Sequence, residues 1–242
     1  RDLHLSIRPQ RQMRIRDRAI YEALAIEDIQ HAADLFRPLY EEKTPVNGMA
    51  QNYGFDGYVS LEANPHLAND TVGTIEEIHR LHQLVDRPNV MFKVPATSEG
   101  IPAIKQLTSD GININITLMF SIKHYNLVTN AWLAGLEERA QRGESIMGIA
   151  SVASFFVSRM DSKLDPQLED MGLDSLKGNI GIANAKNVYQ QFTKIFSSAR
   201  WARLAQQGAQ VQRVLWGSTS TKNPEYPDTM YVDNLIGPQT VN

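Results

Sequence analysis

The residue in this sequence best placed for covalent chemistry is a lysine in the middle of an apolar run. Lys93 stands in Val90-Met91-Phe92-Lys93-Val94-Pro95, and on a strand it shares a face with Met91 and Pro95. A lysine buried without a partner is rare, because its charged form must give up water. Two readings fit it. Its stem is buried and its ammonium snorkels to solvent, or an enclosed, partly apolar pocket frees the amine lone pair for attack on a ketone.

Two neighbouring stretches carry polar residues where a parallel sheet would be apolar. From Ile112 to Leu118 the residues alternate strictly. Ile112, Ile114, Ile116 and Leu118 take one face; Asn113, Asn115 and Thr117 take the other. In a barrel the apolar set packs on the surrounding helices and the amides and hydroxyl point inward. There each costs roughly 1–3 kcal/mol if unpaired. An amphipathic antiparallel strand with one wet face would show the same alternation. Tyr58 to Glu62 repeats the pattern, with Tyr58, Ser60 and Glu62 opposite Val59 and Leu61. Glu62 ends that run, and the carboxyl ends of strands are where barrels collect catalytic groups; taken alone, it is equally a solvated charge. Iminium chemistry needs proton donors and acceptors around the amine. A carboxylate at Glu62, an amide at Asn115 and a hydroxyl at Thr117 are suitable equipment.

Further along, Ser154 and Arg159 fall in Ser-Phe-Phe-Val-Ser-Arg at the end of another apolar run. A guanidinium beside hydroxyls suits a phosphate, and an ordinary surface arginine is the plain alternative. Gly217-Ser218-Thr219-Ser220-Thr221-Lys222-Asn223 lacks the spacing of a Walker loop, yet it follows a strand, as phosphate-lining loops in barrels do. His79 and His82 stand three positions apart without a third ligand at recognisable spacing, which favours a surface pair over zinc. Trp132, Trp201 and Trp216 read as packing residues rather than a nucleic-acid stacking surface.

The elements that must position these groups alternate along the chain. Strands are expected at 58–62, 90–95, 112–118, 145–154, 211–218 and 229–235. Helices are expected at 17–40, 74–85, 99–109, 121–142, 183–198 and 199–207, with Thr97 or Ser98 capping the helix that starts at 99. Strand–helix–strand alternation at this spacing implies parallel βαβ units. The expected fold is α/β, a TIM (β/α)8 barrel forming a single domain over residues 1–242. Six strands are visible where a closed barrel has eight, so the domain is expected to be incomplete at its amino terminus, with the absent strands preceding Asp17.

Composition narrows the field. With 242 residues, 42% hydrophobic and 21% charged, the chain can bury one sizeable core. A net charge of −3 gives no polyelectrolyte signal, so nucleic acid is not an expected partner. Basic residues crowd Arg1 to Arg18, which reads as a solvated arm. There is no cysteine, which excludes disulfides and thiolate chemistry. No apolar run reaches the length of a membrane span and no signal-peptide core opens the chain; a cytoplasmic protein with no membrane partner is expected.

Val90 to Gly100, Gly111 to Phe120, Ser154 to Arg159 and Val59 to Glu62 together resemble the transaldolase family, and Gly217 to Asn223 and Tyr231 to Asn242 are similar to its longer bacterial members. The resemblance covers Asp17 to Asn242. It implies that Lys93 forms a Schiff base with a ketose phosphate and that Glu62 and Thr117 hold a proton-relaying water. Asn115 and Ser154 would bind the dihydroxyacetone portion and Arg159 the phosphate, helped by Ser218 and Lys222. The implied reaction moves a dihydroxyacetone unit from sedoheptulose 7-phosphate to glyceraldehyde 3-phosphate, within the pentose phosphate pathway. It uses no metal or organic cofactor; sugar phosphates are the expected partners, and self-association is left open. One departure stands out. The family carries an acid/base aspartate on its first strand and an asparagine region after its second, and neither motif occurs near Arg1 to Gln51, where Asp2 and Asp17 have the wrong local contexts. A fragment without those strands should neither close its barrel nor cleave efficiently. A Schiff-base aldolase releasing free dihydroxyacetone and a non-catalytic barrel are the competing expectations.

Overall fold

The structure is a computed structural model that describes residues 3–42, 56–237 and 239–241. In chain order the elements are α1 (Leu3–Glu41), β1 (Val59–Glu62), α2 (Thr71–Val85), β2 (Val90–Pro95), α3 (Gly100–Ser109), β3 (Ile114–Met119), α4 (Ile122–Gln141) and β4 (Ser151–Phe156). They continue with α5 (Ser158–Asp170), α6 (Ile180–Phe196), α7 (Ala199–Ala205), β5 (Arg213–Gly217), α8 (Met230–Leu235) and β6 (Thr240–Val241). The strands follow one another in the sheet in chain order, and β2 to β6 pair in parallel. This is the winding of a (β/α)8 barrel, present here as six strands that, among the described residues, do not close by hydrogen bonds. No strand precedes β1 among the described residues. The basic side chains between Arg1 and Arg18 lie outside the described ones, as does the whole stretch from Lys43 to Gln51 in which the asparagine motif would fall.

Internal contacts divide the chain into two units, Arg1–Leu61 with His79–Val90, and Glu62–Ile78 with Met91–Asn242. In the first, α1 is tied to the end of α2 by polar contacts. Arg80 forms a two-pronged pair with Glu22 at 2.7 Å on each arm, and Arg87 one with Asp34 at 2.6 and 2.9 Å. The hydrogen bond from Arg87 holds the Asp34 carboxyl below its usual range. Exposed pairs of this kind contribute little. The buried Asn89 amide is different: it donates to the carbonyls of Ala33 and Gly57 at 2.7 and 2.9 Å, and an unfilled pair of donors there would be costly.

In the second unit the two faces of the sheet separate by side-chain parity. Phe92, Val94, Ile114, Ile116, Ala153, Phe155, Val214 and Trp216 lie on one parity and are buried; the paired register sets Phe92 beside Ile114, and Phe155 beside Trp216. Lys93, Asn115, Thr117 and Ser154 lie on the other parity; the sequence alternation sets Asn115 and Thr117 together, and the register adds Lys93 and Ser154. The alternation fails at Leu118. The register slips between Ile116 and Met119, Leu118 turns into the left-handed region (φ 62°) and stands exposed, and Met119 takes the buried place instead. A bulge inserts one residue, so the parity reverses beyond it.

Two further expectations are corrected. The strand expected from Ser145 begins only at Ser151, because Ser145 Oγ accepts from Met147 N and Gly148 turns the chain at φ 79°. The strand expected at 229–235 is helix α8. Its buried residues Tyr231 and Leu235 are four apart, a helical spacing, and Trp216 Nε1 donates to Leu235 O at 2.8 Å. The last strand is the two-residue β6, beside Val214 and Leu215. Helix α5 went unassigned in the sequence. By contrast, Thr97 Oγ1 accepts from Gly100 N at 2.9 Å, as expected of a cap for α3.

The three tryptophans are core residues. Trp132 is fully buried on α4 and stacks on Trp201 of α7 with centroids 6.2 Å apart. The same two helices are joined by a fork in which Arg200 Nε and Nη2 donate to both oxygens of Glu137 at 2.7 Å. That hydrogen bonding holds the Glu137 carboxyl below its usual range. A depressed folded value stabilises the fold above the unfolded value and is lost as the pH falls through the carboxylate range. Replacing Glu137 by glutamine is therefore expected to cost about 1 kcal/mol at neutral pH and less at about pH 3. Urea titrations of both proteins at the two pH values check this; an equal difference at both would contradict it.

Candidate active site

The groups singled out in the sequence collect toward the carboxyl ends of adjacent strands. Glu62 is the last residue of β1, and Lys93 projects from β2. Lys93 Nζ donates to Glu62 Oε1, with the lysine side chain 25% exposed and the glutamate 72%. The stem of Lys93 is thus covered while its carboxylate partner stays open to water.

The register places the other groups beside it. Asn115 lies opposite Lys93, and Thr117 opposite Pro95. Side chains of paired residues in a parallel sheet point to the same side, so the amide and the hydroxyl share the lysine's face. Asn115 and Thr117 are buried. Ser154 of β4 is buried too, and its hydroxyl donates to Asn115 Oδ1 at 2.6 Å. That bond fixes the orientation of the amide and turns its NH2 group away from Ser154. Asn113, expected on the same face, serves the backbone instead: its Oδ1 accepts from Ala150 N at 2.9 Å.

The predicted anion groups follow the ends of β4 and β5 in the chain. Arg159 sits in the first turn of α5, exposed, with its guanidinium 5.1 Å from the centre of the Phe156 ring. Ser218 follows β5 in the left-handed region (φ 54°); its carbonyl accepts from Ser158 N at 3.0 Å, and the two hydroxyls are 2.9 Å apart. Lys222 is exposed and donates to Ser220 Oγ at 2.5 Å. Ser218 is thereby built into the end of the sheet, whereas Lys222 lies farther along the loop and touches neither Arg159 nor Ser218 by a hydrogen bond among the described residues.

This constellation is an amine with a carboxylate at hand, a buried amide–hydroxyl pair two strands wide, and cations near the next strand ends. It can form an iminium, move protons and hold a polar ligand. The family model described as Transaldolase/Fructose-6-phosphate aldolase matches residues 4–241. The chain belongs to this family. Among curated members of the transaldolase group, it is 47% identical over 234 residues to a transaldolase of Trichodesmium erythraeum, covering 92% of this chain and 59% of that one. It is 46% identical over 238 residues to a transaldolase of Thermobifida fusca, covering 96% and 62%, and 46% identical over 235 residues to transaldolase 2 of a Nostoc species, covering 92% and 59%. The chain therefore spans about three fifths of the length of these transaldolases.

One polar group in this transaldolase-family chain was not foreseen. Asp161 and Asp165, one helical turn apart on α5, are both buried. Each accepts a backbone N–H and a tyrosine hydroxyl: Asp161 from Gly181 and Tyr231, Asp165 from Gly178 and Tyr226. The four-residue spacing of the aspartates was the available signal, but it acquires meaning only once 158–170 is known to be a helix with that face covered.

Proposed function

We propose that the protein is a transaldolase in which Lys93 is the nucleophile. The reading is carried by the Lys93–Glu62 contact on the face shared with Asn115, Thr117 and Ser154, in a chain of this family. The free amine of Lys93 adds to the ketone carbon of sedoheptulose 7-phosphate, and the carbinolamine loses water to give an iminium. A water held by Glu62 and Thr117 carries protons to and from nitrogen and oxygen in these steps. The iminium draws in the electron pair of the breaking carbon–carbon bond. Erythrose 4-phosphate leaves as the aldehyde, and a three-carbon enamine stays on Lys93. The enamine attacks the aldehyde carbon of glyceraldehyde 3-phosphate, and hydrolysis of the new iminium releases fructose 6-phosphate and the free amine. Asn115 and Ser154 hold the hydroxyls of the three-carbon unit. Arg159, with Ser218 and Lys222, takes the phosphate. The base that removes the hydroxyl proton during cleavage is not assigned to a described residue. A place in the pentose phosphate pathway and a cytoplasmic location belong to the same reading.

The test is reduction with borohydride in the presence of fructose 6-phosphate. Peptide mass analysis is expected to place one reduced three-carbon adduct on Lys93. An adduct on another lysine, or none, overturns the proposal. Product analysis with and without an acceptor aldehyde separates transfer from release of free dihydroxyacetone: transfer predicts that turnover requires the acceptor.

A further inference from the structure

The stretch carrying Ser218 and Lys222 runs from the end of β5 to α8, and contains no regular element before Met230. At its start it is held by the Ser158–Ser218 contacts and by Val157 N donating to Gly217 O at 3.0 Å. At its far end the fastening is made by two phenols. Tyr226 donates to Asp165 Oδ2 at 2.7 Å and Tyr231 to Asp161 Oδ2 at 2.9 Å. The other oxygen of each carboxylate takes a backbone N–H before or within α6, from Gly178 at 3.0 Å and Gly181 at 2.8 Å.

Both donors are glycines for a steric reason. A Cβ on Gly181 would come within 2.8 Å of Asp161 Oδ2 and of Val157 O, and one on Gly178 would meet the Tyr226 ring at 2.9 Å, at a backbone φ of 72° that side chains rarely adopt. The site is therefore shaped around these carboxylates and rings. Burial raises the Asp161 carboxyl, and burial together with Asp165 pushes the Tyr226 phenol up to about 12, so the phenol stays the donor throughout the neutral range. Asp161, Asp165, Tyr226, Tyr231 and Lys222 also line one cavity of about 370 Å³. Helix α5, which holds both aspartates, begins with Ser158 and Arg159.

We infer that Asp161–Tyr231 and Asp165–Tyr226 form a double clamp that positions the Ser218–Lys222 stretch against the Arg159 end of α5, so that these four are positioning residues for the phosphate of the substrate. The inference rests on the proposed function. Carboxylates one helical turn apart on α5 set the far end of the loop in register with the arginine at the start of the same helix. Neither tyrosine touches the Lys93 cluster through a hydrogen bond among the described residues, so the clamp acts on phosphate affinity and not on the covalent steps.

The experiment uses Tyr226→Phe, which removes the hydroxyl and keeps the ring, with Tyr231→Phe as the second variant. Backbone hydrogen exchange over residues 218–223 is expected to quicken about tenfold, the size of one lost hydrogen bond to a charged acceptor. The KM for fructose 6-phosphate is expected to rise about three- to tenfold with kcat held within a factor of two, while borohydride trapping with unphosphorylated dihydroxyacetone matches the parent protein. Unchanged exchange in both variants overturns the clamp whatever the enzyme does. Faster exchange with an unchanged KM, or with trapping by fructose 6-phosphate and dihydroxyacetone reduced equally, overturns its role toward phosphate. Failure of the parent protein itself to form any adduct is a separate result: it sinks the transaldolase reading, and the positioning role with it.

Discussion

Lys93→Arg is expected to lower turnover at least about a thousandfold and to abolish the borohydride adduct, while the protein still unfolds cooperatively near the parent temperature. The substitution keeps the positive charge that meets Glu62. It removes the proposed chemistry, because a guanidinium stays protonated in a protein and cannot act as an amine nucleophile. The side chain is only 25% exposed, so the larger head group is the one risk to folding. Lys93→Met, which keeps the length of the stem without its charge, supplies the second measurement. Both variants are predicted to be folded and inactive. Residual turnover within tenfold of the parent in either, measured by coupled assay for the aldehyde product, would remove Lys93 from the covalent role.

Glu62→Gln should be the next most damaging change, lowering kcat by about a hundred- to thousandfold, the usual contribution of a positioned acid–base group. Glutamine preserves the size of the side chain and can still accept a hydrogen bond from Lys93, but it cannot take and return a proton. The carboxylate is 72% exposed beside a mostly covered amine, which suits a group exchanging protons with water. On the proposed roles the defect lies in proton transfer and not in the nucleophile, so the borohydride adduct should still form on Lys93, only more slowly. Rapid-quench measurement of adduct formation distinguishes this from simple loss of binding. A kcat within a few-fold of the parent, with only KM changed, would reduce Glu62 to a charge that holds the lysine in place.

The differing legibility of these residues has physical causes. Lys93 stood out because desolvating an ammonium in an apolar run needs a reason, and the structure supplies a partner at Glu62. Asn115 and Thr117 were visible through the same logic of polar residues on an otherwise apolar sheet. Leu118 followed the period of the strand on paper and broke it in space, since a bulge is a matter of register with β4 and leaves no mark in the alternation. The stretch 229–235 shows the reverse failure. Its composition fits either element over so short a run, and burial of Tyr231 and Leu235 on one helical face decided the outcome.

By itself the sequence determined the parallel β/α winding, the bounds of β2 at Val90 and Pro95, the alternation that sets Asn115 and Thr117 on one side of their strand, and the family to which they belong. These follow from periods of two and 3.6 residues and from the cost of burying polar groups, which are local properties of the chain. The tertiary structure alone decided that the lysine's partner is Glu62, that Ser154 orients Asn115, and that Asp161 and Asp165 receive phenols from residues more than sixty positions away. Those pairings depend on which strand ends and helix turns come to lie side by side, and no local spacing encodes that.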